Sequence, residues 1–126
     1  MKTSTLTGAD LNRAVAMALG YKLTDAPIGI GPTGSMAVWC IAPTVPLACH
    51  TQIPDYATDI TAAWPIIIEH RIAIVPHDLG GWNAAQPAVN QFGHEYWAHG
   101  QYNGEPLEMA MRCFVASVLG DEVELG

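Results

Sequence analysis

The chain has 126 residues, half of them hydrophobic, and carries a formal net charge of −7 from 12 acidic and 5 basic residues. A chain of this length accommodates one hydrophobic core, so we expect residues 1–126 to form a single domain. No apolar run approaches the roughly 20 residues that span a bilayer, which excludes a membrane-spanning protein. The basic residues are scattered, and this excludes duplex nucleic acid as a partner because phosphate contacts require local positive charge.

The N-terminus and the cysteines indicate the compartment. Residues 1–8 lack the apolar core of a signal peptide, so we expect the protein to remain in the cytoplasm. The cysteines, Cys40, Cys49 and Cys113, are odd in number and contain no C-x-x-C pair. We interpret them as reduced thiols rather than as a disulfide or a metal site.

Residues 6–19 predict the first helix. Thr7 is the expected N-cap, and Gly20 ends the helical pattern. Asn12 and Arg13 lie outside the apolar stripe and are expected to face water. The apolar residues that should be buried are Leu11, Val15, Ala18 and Leu19.

Residues 22–54 form a proline- and glycine-rich insertion that holds five of the nine prolines. Residues 36–41 are its one apolar run and predict a strand between two loops. Residues 29–35 resemble a phosphate-binding loop in their glycine content, but no Lys-Ser/Thr follows them and Pro32 removes a backbone donor. We therefore interpret this segment as a turn.

A second helix is predicted from Thr58 or Asp59, the N-cap candidates, to residue 69 or 70. Pro65 complicates this prediction, because proline is comfortable only in the first turn of a helix. The helix therefore either starts near Thr61 or is kinked at Trp64.

The segments after this helix predict short strands. Residues 71–75 are rich in β-branched side chains and predict a strand that ends at Pro76. A turn over residues 76–81 then leads into residues 82–85. Residues 94–99 predict a further strand with Tyr96 and Trp97 on opposite faces, and Asn103-Gly104 is the expected turn into the last helix.

The last helix, predicted at residues 105–119, is the strongest structural signal in the chain. Pro106 suits its first position, and Gly120 is expected to adopt a left-handed conformation after it. The apolar face at three- and four-residue steps comprises Leu107, Ala110, Met111, Phe114, Val115 and Val118. Helices at both termini and a short, mostly antiparallel sheet predict an α+β fold, a small layered α/β/α-like domain.

The residue types that commonly carry catalysis or bind metals form no recognisable site. His94 and His99, five residues apart on a predicted strand, would lie on opposite faces, which argues against a shared metal ion. No serine occupies a Gly-x-Ser-x-Gly turn, and Cys49-His50 are neighbours in sequence, which is unsuitable for a dyad. We therefore predict no catalytic residue, no metal and no cofactor.

The aromatic residues are more informative, since four tryptophans and four tyrosines are many for a chain of this size. We expect Trp64 and Trp82 to lie in the core or at its edge. Trp97 and Tyr96 are expected to be exposed, where they would be available to stack on a planar ligand.

The C-terminal third also carries a family resemblance. Pro-Ile-Ile-Ile-Glu at residues 65–69, Trp-Asn-Ala-Ala at 82–85 and the segment 106–124 resemble the NinX-type family of small lambdoid-phage accessory proteins. The first helix with its Gly20-Tyr21 ending is similar to that family too, as is Thr58-Asp59.

This resemblance covers residues 1–21 and 55–126 and leaves out residues 22–54. It implies a phage- or prophage-encoded accessory protein that works in the bacterial cytoplasm, with an α/β/α-like layered fold and without established catalytic residues. Small phage accessory proteins of this kind often act against host defences, which is an analogy at the level of the class.

Our first hypothesis is a non-enzymatic protein that binds and sequesters a nucleotide-derived host immune signal. Aromatic side chains would stack on a base, and basic or imidazole groups, or the helix N-terminus at residues 105–107, would face phosphates. The candidate ligand-binding residues are Trp97, Tyr96, Trp39, Arg71, Arg112, His94 and His99.

Two further hypotheses remain open. The acidic chain can modulate a host protein, with residues 22–54 as the contact loop. A nucleotide hydrolase that uses the histidines is the weaker alternative. In either case we expect a homo-oligomer, because small binding proteins often place their pockets between subunits.

Overall fold

The computed structural model describes residues 1–24, 39–41 and 50–125, and for residues 24, 39–41 and 50–52 it describes the backbone alone. A short 3-10 turn at Thr3–Thr5 precedes the regular elements. In chain order these are α1 (Gly8–Ala18), β1 (Lys22–Thr24), β2 (Trp39–Ile41), β3 (His50–Gln52), α2 (Ile60–Glu69), β4 (Ala73–Pro76), β5 (Trp82–Val89), β6 (Glu95–Gly104) and α3 (Pro106–Leu119). The predicted α+β fold with helices at both ends is confirmed.

The described strands form two antiparallel sheets, ordered β1-β2-β3 and β4-β5-β6. Of the predicted strand at residues 36–41, only 39–41 lie within the described residues, as β2; the predicted turn at 29–35 lies outside them. Strand β5 was not predicted, because Pro87 interrupts its pattern. The structure accommodates this proline since β4 pairs with β5 only as far as Ala85, and the backbone of Pro87 faces no β4 partner.

Two irregularities bend β6. Gln86 pairs with Ala98 while Ala84 pairs with Gln101, so two β6 residues stand opposite Ala85 alone. The extra residues adopt left-handed conformations, with φ of 58° at His99 and 61° at Asn103. The prediction that Asn103-Gly104 is a turn is wrong: both residues belong to the end of β6, and Gly104 pairs with Trp82.

Helix α3 is the centre of the core, as the sequence predicts. Glu105 is its N-cap residue and Pro106 its first residue, and it packs against β5, β6, α1 and α2. Its buried residues are Met109, Ala110, Met111, Cys113, Phe114, Val115 and Ala116. Val118, assigned to the core face by its spacing, is instead exposed in the last turn of α3.

Gly120 has a positive φ of 88°, but its ψ of −169° is extended rather than helical. The expectation of a left-handed helical residue at this position is therefore wrong. This combination of angles is essentially restricted to glycine, and it turns the chain away from α3.

Helix α1 ends in a Schellman motif at Gly20, in which Tyr21 N donates to Ala16 O and Gly20 N to Met17 O, both at 3.0 Å. Thr7 is the N-cap residue as predicted, although its side chain makes no capping hydrogen bond. Asn12 and Arg13 do not simply face water. Asn12 bonds to Asp55 and to the amide of Ala57, and Arg13 Nη2 donates to Leu125 O.

Helix α2 starts at Ile60, next to the predicted Thr61, and the Asp59 carboxylate accepts a hydrogen bond from Thr61 N at 3.0 Å. It ends in a second Schellman motif, where Ile72 N donates to Ile67 O and Arg71 N to Ile68 O. Arg71, predicted to start a strand, is instead the left-handed residue of this motif, with φ of 54°. Strand β4 therefore begins only at Ala73.

None of the helices that the structure describes is long and apolar enough to cross a bilayer.

Candidate functional site

An open groove of about 610 Å³ runs between α2 and the β4-β5-β6 sheet. Trp64, Ile68 and Arg71 line it from the helix, and Ile74, Pro87 and Trp97 line it from the strands. A second depression of about 470 Å³ shares Arg71, Pro87 and Trp97 and adds Val89, Glu95 and Tyr96. We refer to the two depressions together as the Trp97 groove.

Trp97 and Trp64 are the large flat surfaces of this groove. The Trp97 side chain is 65% exposed and that of Trp64 is 51% exposed. Trp97 pairs across the sheet with Pro87, so an indole and a proline ring lie side by side. The exposure predicted for Trp97 and Tyr96 is confirmed, whereas Trp64 and Trp82, predicted to lie in the core or at its edge, are both exposed.

Arg71 supplies the positive charge of the groove. Its left-handed backbone at the end of α2 places it where the helix meets the sheet. In the part of the chain that the structure describes, its guanidinium makes neither an ion pair nor a hydrogen bond, and it is the only charged residue lining the larger depression. A guanidinium without such partners can form bidentate hydrogen bonds to a phosphate or a carboxylate.

The hairpin that carries Trp97 is held by a well-bonded turn. Gly93 N donates to Asn90 O at 3.0 Å, and Asn90 N donates to His94 O at 2.9 Å. The Asn90 side-chain oxygen also accepts from the amides of Phe92 and His94. Gly93 adopts the positive φ that this turn needs. The β5–β6 hairpin therefore presents Trp97 and Tyr96 on a defined backbone.

The structure brings Arg71, Tyr96 and Trp97 together at the groove, whereas Arg112, His94 and His99 do not line it. Arg112 Nε donates to Leu6 O at 2.7 Å and so joins α3 to the N-terminal segment. His94 closes the hairpin turn, and His99 lies in the first irregularity of β6. The Trp39 side chain lies outside the described residues.

The N-terminus of α3 lacks the chemistry expected of an anion site. Glu105 and Glu108 line the small pocket there, beside Ala57 and Thr58. Two carboxylates next to the helix amides offset the helix dipole and repel a second anion. This geometry disfavours the suggestion that residues 105–107 hold a phosphate.

Trp64 and Ile68 line the groove although neither was predicted to do so, and the sequence carried a signal for both. Helix α2 is apolar on two faces. Ala63, Ile66 and Ile67 are buried, whereas Ile60, Trp64 and Ile68, at four-residue spacing, are exposed. A second apolar stripe that the fold leaves uncovered is typical of a binding face.

Within the described residues no group of three His, Cys, Asp or Glu side chains is placed to hold a metal ion. His77 lies in the turn between β4 and β5, where its Nδ1 accepts a hydrogen bond from Leu79 N. His70 packs on the Phe114 ring at 4.6 Å. These histidines therefore serve local structure at separate places.

The fold and the groove define a small α+β protein with an open, aromatic-lined surface site. Residues 2–118 match the sequence model of a phage family described as Bacteriophage P22, NinX. The chain belongs to this family, and the resemblance noted in its sequence is confirmed. The match also includes residues 22–54, which the resemblance left out. No match was found among curated proteins.

Proposed function

We propose that this phage protein is a non-enzymatic, cytoplasmic binder that sequesters a nucleotide-type small molecule of the host immune response. The observation that carries the proposal is the grouping in one groove of Trp97, Trp64 and Arg71, whose guanidinium has no partner among the described residues. A base would stack on an indole, and a phosphate would accept hydrogen bonds from the guanidinium. The proposal treats residues 1–126 as one domain.

The energy of base stacking and the charges that line the groove are both compatible with a nucleotide ligand. Stacking of a base on an aromatic side chain contributes roughly 1–3 kcal/mol. The net charge of −7 opposes an anionic ligand. A ligand in the groove, however, interacts most strongly with the charges that line it. Among the residues that the structure describes, none of those lining the larger depression is acidic, so an anion placed there meets Arg71 first. Glu95 lines the smaller depression and not the larger one.

The test is to incubate the purified protein with cyclic mononucleotides, cyclic dinucleotides and ADP-ribose derivatives. Binding is measured by calorimetry, and the ligand is identified by mass spectrometry after denaturation. We expect one class to be retained and released intact. Trp97→Ala and Arg71→Gln should each weaken binding about tenfold or more, since each removes an interaction of roughly 1.4 kcal/mol or more.

Matched controls are Trp82→Ala and Lys22→Gln, which remove an exposed indole and an exposed positive charge outside the groove. They should bind as the unchanged protein does. Failure of every candidate to bind, or equal losses in groove and control variants, would refute the proposal. Recovery of a cleaved ligand, with cleavage abolished by His77→Ala, would favour a hydrolase instead.

A second function, modulation of a host protein, is favoured by a different observation. The tips of the two hairpins expose large apolar side chains: Leu79 is 92% exposed and Phe92 is 73% exposed. Neither lines the Trp97 groove. Pull-down from host lysate with the unchanged protein and with Leu79→Ser and Phe92→Ser separates the two functions, because a small-molecule binder should recover no stoichiometric protein.

A further inference from the structure

The rim of the Trp97 groove forms one continuous surface that we name the Trp97 patch, made of Trp64, Ile68, Arg71, Val89, Glu95 and Trp97. Its continuity follows from the two depressions, which share Arg71 and Trp97. The four apolar members come from α2 and from both strands of the hairpin, and each is more than half exposed. No described element of the chain covers them.

The apolar area of this patch is about half of what one partner buries in a standard protein interface. Two half-exposed tryptophans and two aliphatic side chains offer on the order of 400 Å² of apolar area. The largest apolar patch on a monomer is typically about 300–600 Å², and a standard interface buries about 800 Å² per partner. The patch therefore supplies a large share of one side of an interface.

The charges on the patch are complementary to each other. Arg71 and Glu95 line the same depression, and in the described residues neither makes an ion pair. The patch thus carries one positive and one negative charge, and the net charge of −7 resides elsewhere on the chain. Two copies would repel each other through most of their surface but not through this part of it.

We propose that two copies of this chain associate through the Trp97 patch in a two-fold symmetric contact. Such a contact uses the same surface on both copies. The apolar side chains lie at its centre, Arg71 of each copy faces Glu95 of the partner subunit, and both charges gain the partners they lack within the described part of one chain. A second copy fits this surface because the patch is complementary to itself in both polarity and charge.

This association has a consequence that rests on the proposed function. The ligand and the second copy use the same Arg71 and Trp97 side chains, so they compete. The free protein is a dimer, and a bound anionic ligand dissociates it. Self-association in the absence of any ligand tests the interface independently of the proposed function, whose own test is nucleotide binding. A dimer that persists with a nucleotide bound would refute only the competition.

The experiment is sedimentation equilibrium of the full chain across a range of micromolar concentrations. The unchanged protein should be a dimer. Arg71→Glu and Glu95→Arg should each be monomeric, because each places two like charges opposite each other at both ends of the contact. An equimolar mixture of these two variants should form a heterodimer, since every contact then joins opposite charges. The double variant should also recover the dimer.

Matched controls reverse one charge of each sign outside the patch: Lys22→Glu and Glu124→Arg, at exposed positions in another depression. Both should remain dimeric, and circular dichroism establishes that every variant is folded. A monomeric unchanged protein overturns the proposal. It is equally overturned if the two charge-reversed monomers fail to associate on mixing, or if the control variants dissociate as the patch variants do.

Discussion

Among single residues, the Cys113 thiol shows most directly how the core controls chemistry. It is a free thiol, as predicted, and it is fully buried in α3. Burial raises its pKa from 9.0 to about 12, because the thiolate would lose its hydration. Thiolates are the reactive form of cysteine, so this thiol is inert in the folded protein.

The raised pKa of Cys113 predicts a pH-dependent loss of stability. Below pH 9 the thiol is protonated in both states and contributes no pH dependence. Between pH 9 and 12 the unfolded chain releases the proton while the folded chain keeps it. The free energy of unfolding should therefore fall, with a slope approaching about 1.4 kcal/mol per pH unit. Urea unfolding at pH 8, 9 and 10 measures the slope.

Cys113→Ala provides the control, because it removes this titration and leaves every other group in place. The variant should be less stable by a constant amount below pH 9, owing to the small cavity. Its stability should fall less steeply above that pH. Parallel curves for the two proteins would show that the thiol does not contribute.

At the scale of elements, the end of α2 departs most clearly from the usual sequence pattern. A Schellman motif normally places glycine at the left-handed position, as α1 does with Gly20, but α2 uses Arg71 at φ 54°. A residue with a Cβ is strained in this conformation by about 1–2 kcal/mol. Its presence is consistent with selection for the side chain rather than for stability.

We therefore predict that Arg71→Gly raises the free energy of unfolding. Relief of backbone strain is partly offset by the greater freedom of glycine in the unfolded chain, which leaves a gain of about 0.5–1 kcal/mol. Denaturant unfolding measures it. The control is Arg71→Ala, which removes the same side chain but keeps the Cβ and should be near neutral. If both variants shift stability equally, backbone strain is not the cause.

The helices were predictable from sequence because their signals are local. The N-cap Asp59, the first-position Pro106 and the apolar periodicity of α3 each act within a few residues. Strand β5 was not predictable in this way, because a proline at position 87 is tolerated only where the neighbouring strand β4 has already ended. The left-handed conformation of Arg71 was equally hidden, since no glycine marks the Schellman motif in which it lies.

The candidate site was predictable only in part, for a related reason. Trp97, Tyr96 and Arg71 were selected by residue type, and the fold places them together. Arg112, His94 and His99 were selected in the same way, but Arg112 bonds to the distant Leu6 carbonyl, and the two histidines lie in a turn and in a strand irregularity that do not line the groove. Trp64 was not predicted because an aromatic residue on an apolar helix is usually assigned to the core. Its exposure is predictable only if the two apolar faces of α2 are distinguished.

At the scale of the whole molecule, the two ends of the described chain are joined. Thr3 N donates to Asp121 O and Val123 N donates to Met1 O, both at 2.8 Å. Lys2 and Glu122 form the antiparallel bridge between them. Thr3 is buried, and its hydroxyl donates to the carbonyl of Gly120 at 2.6 Å. The extended, glycine-specific conformation of Gly120 turns the chain at this point, directly after α3.

From these contacts we predict that a single substitution at Thr3 lowers the free energy of unfolding substantially. Thr3→Val keeps the side-chain shape but leaves the Gly120 carbonyl without its hydroxyl donor, which should lower the free energy of unfolding by about 1–3 kcal/mol. Thr5→Val is the matched control: the Thr5 hydroxyl donates to Lys2 O at an exposed position, where water can replace it, so its cost should stay below about 0.5 kcal/mol. Denaturation midpoints of the two variants decide the question, since equal costs would mean that the buried bond does not hold the ends of the fold together.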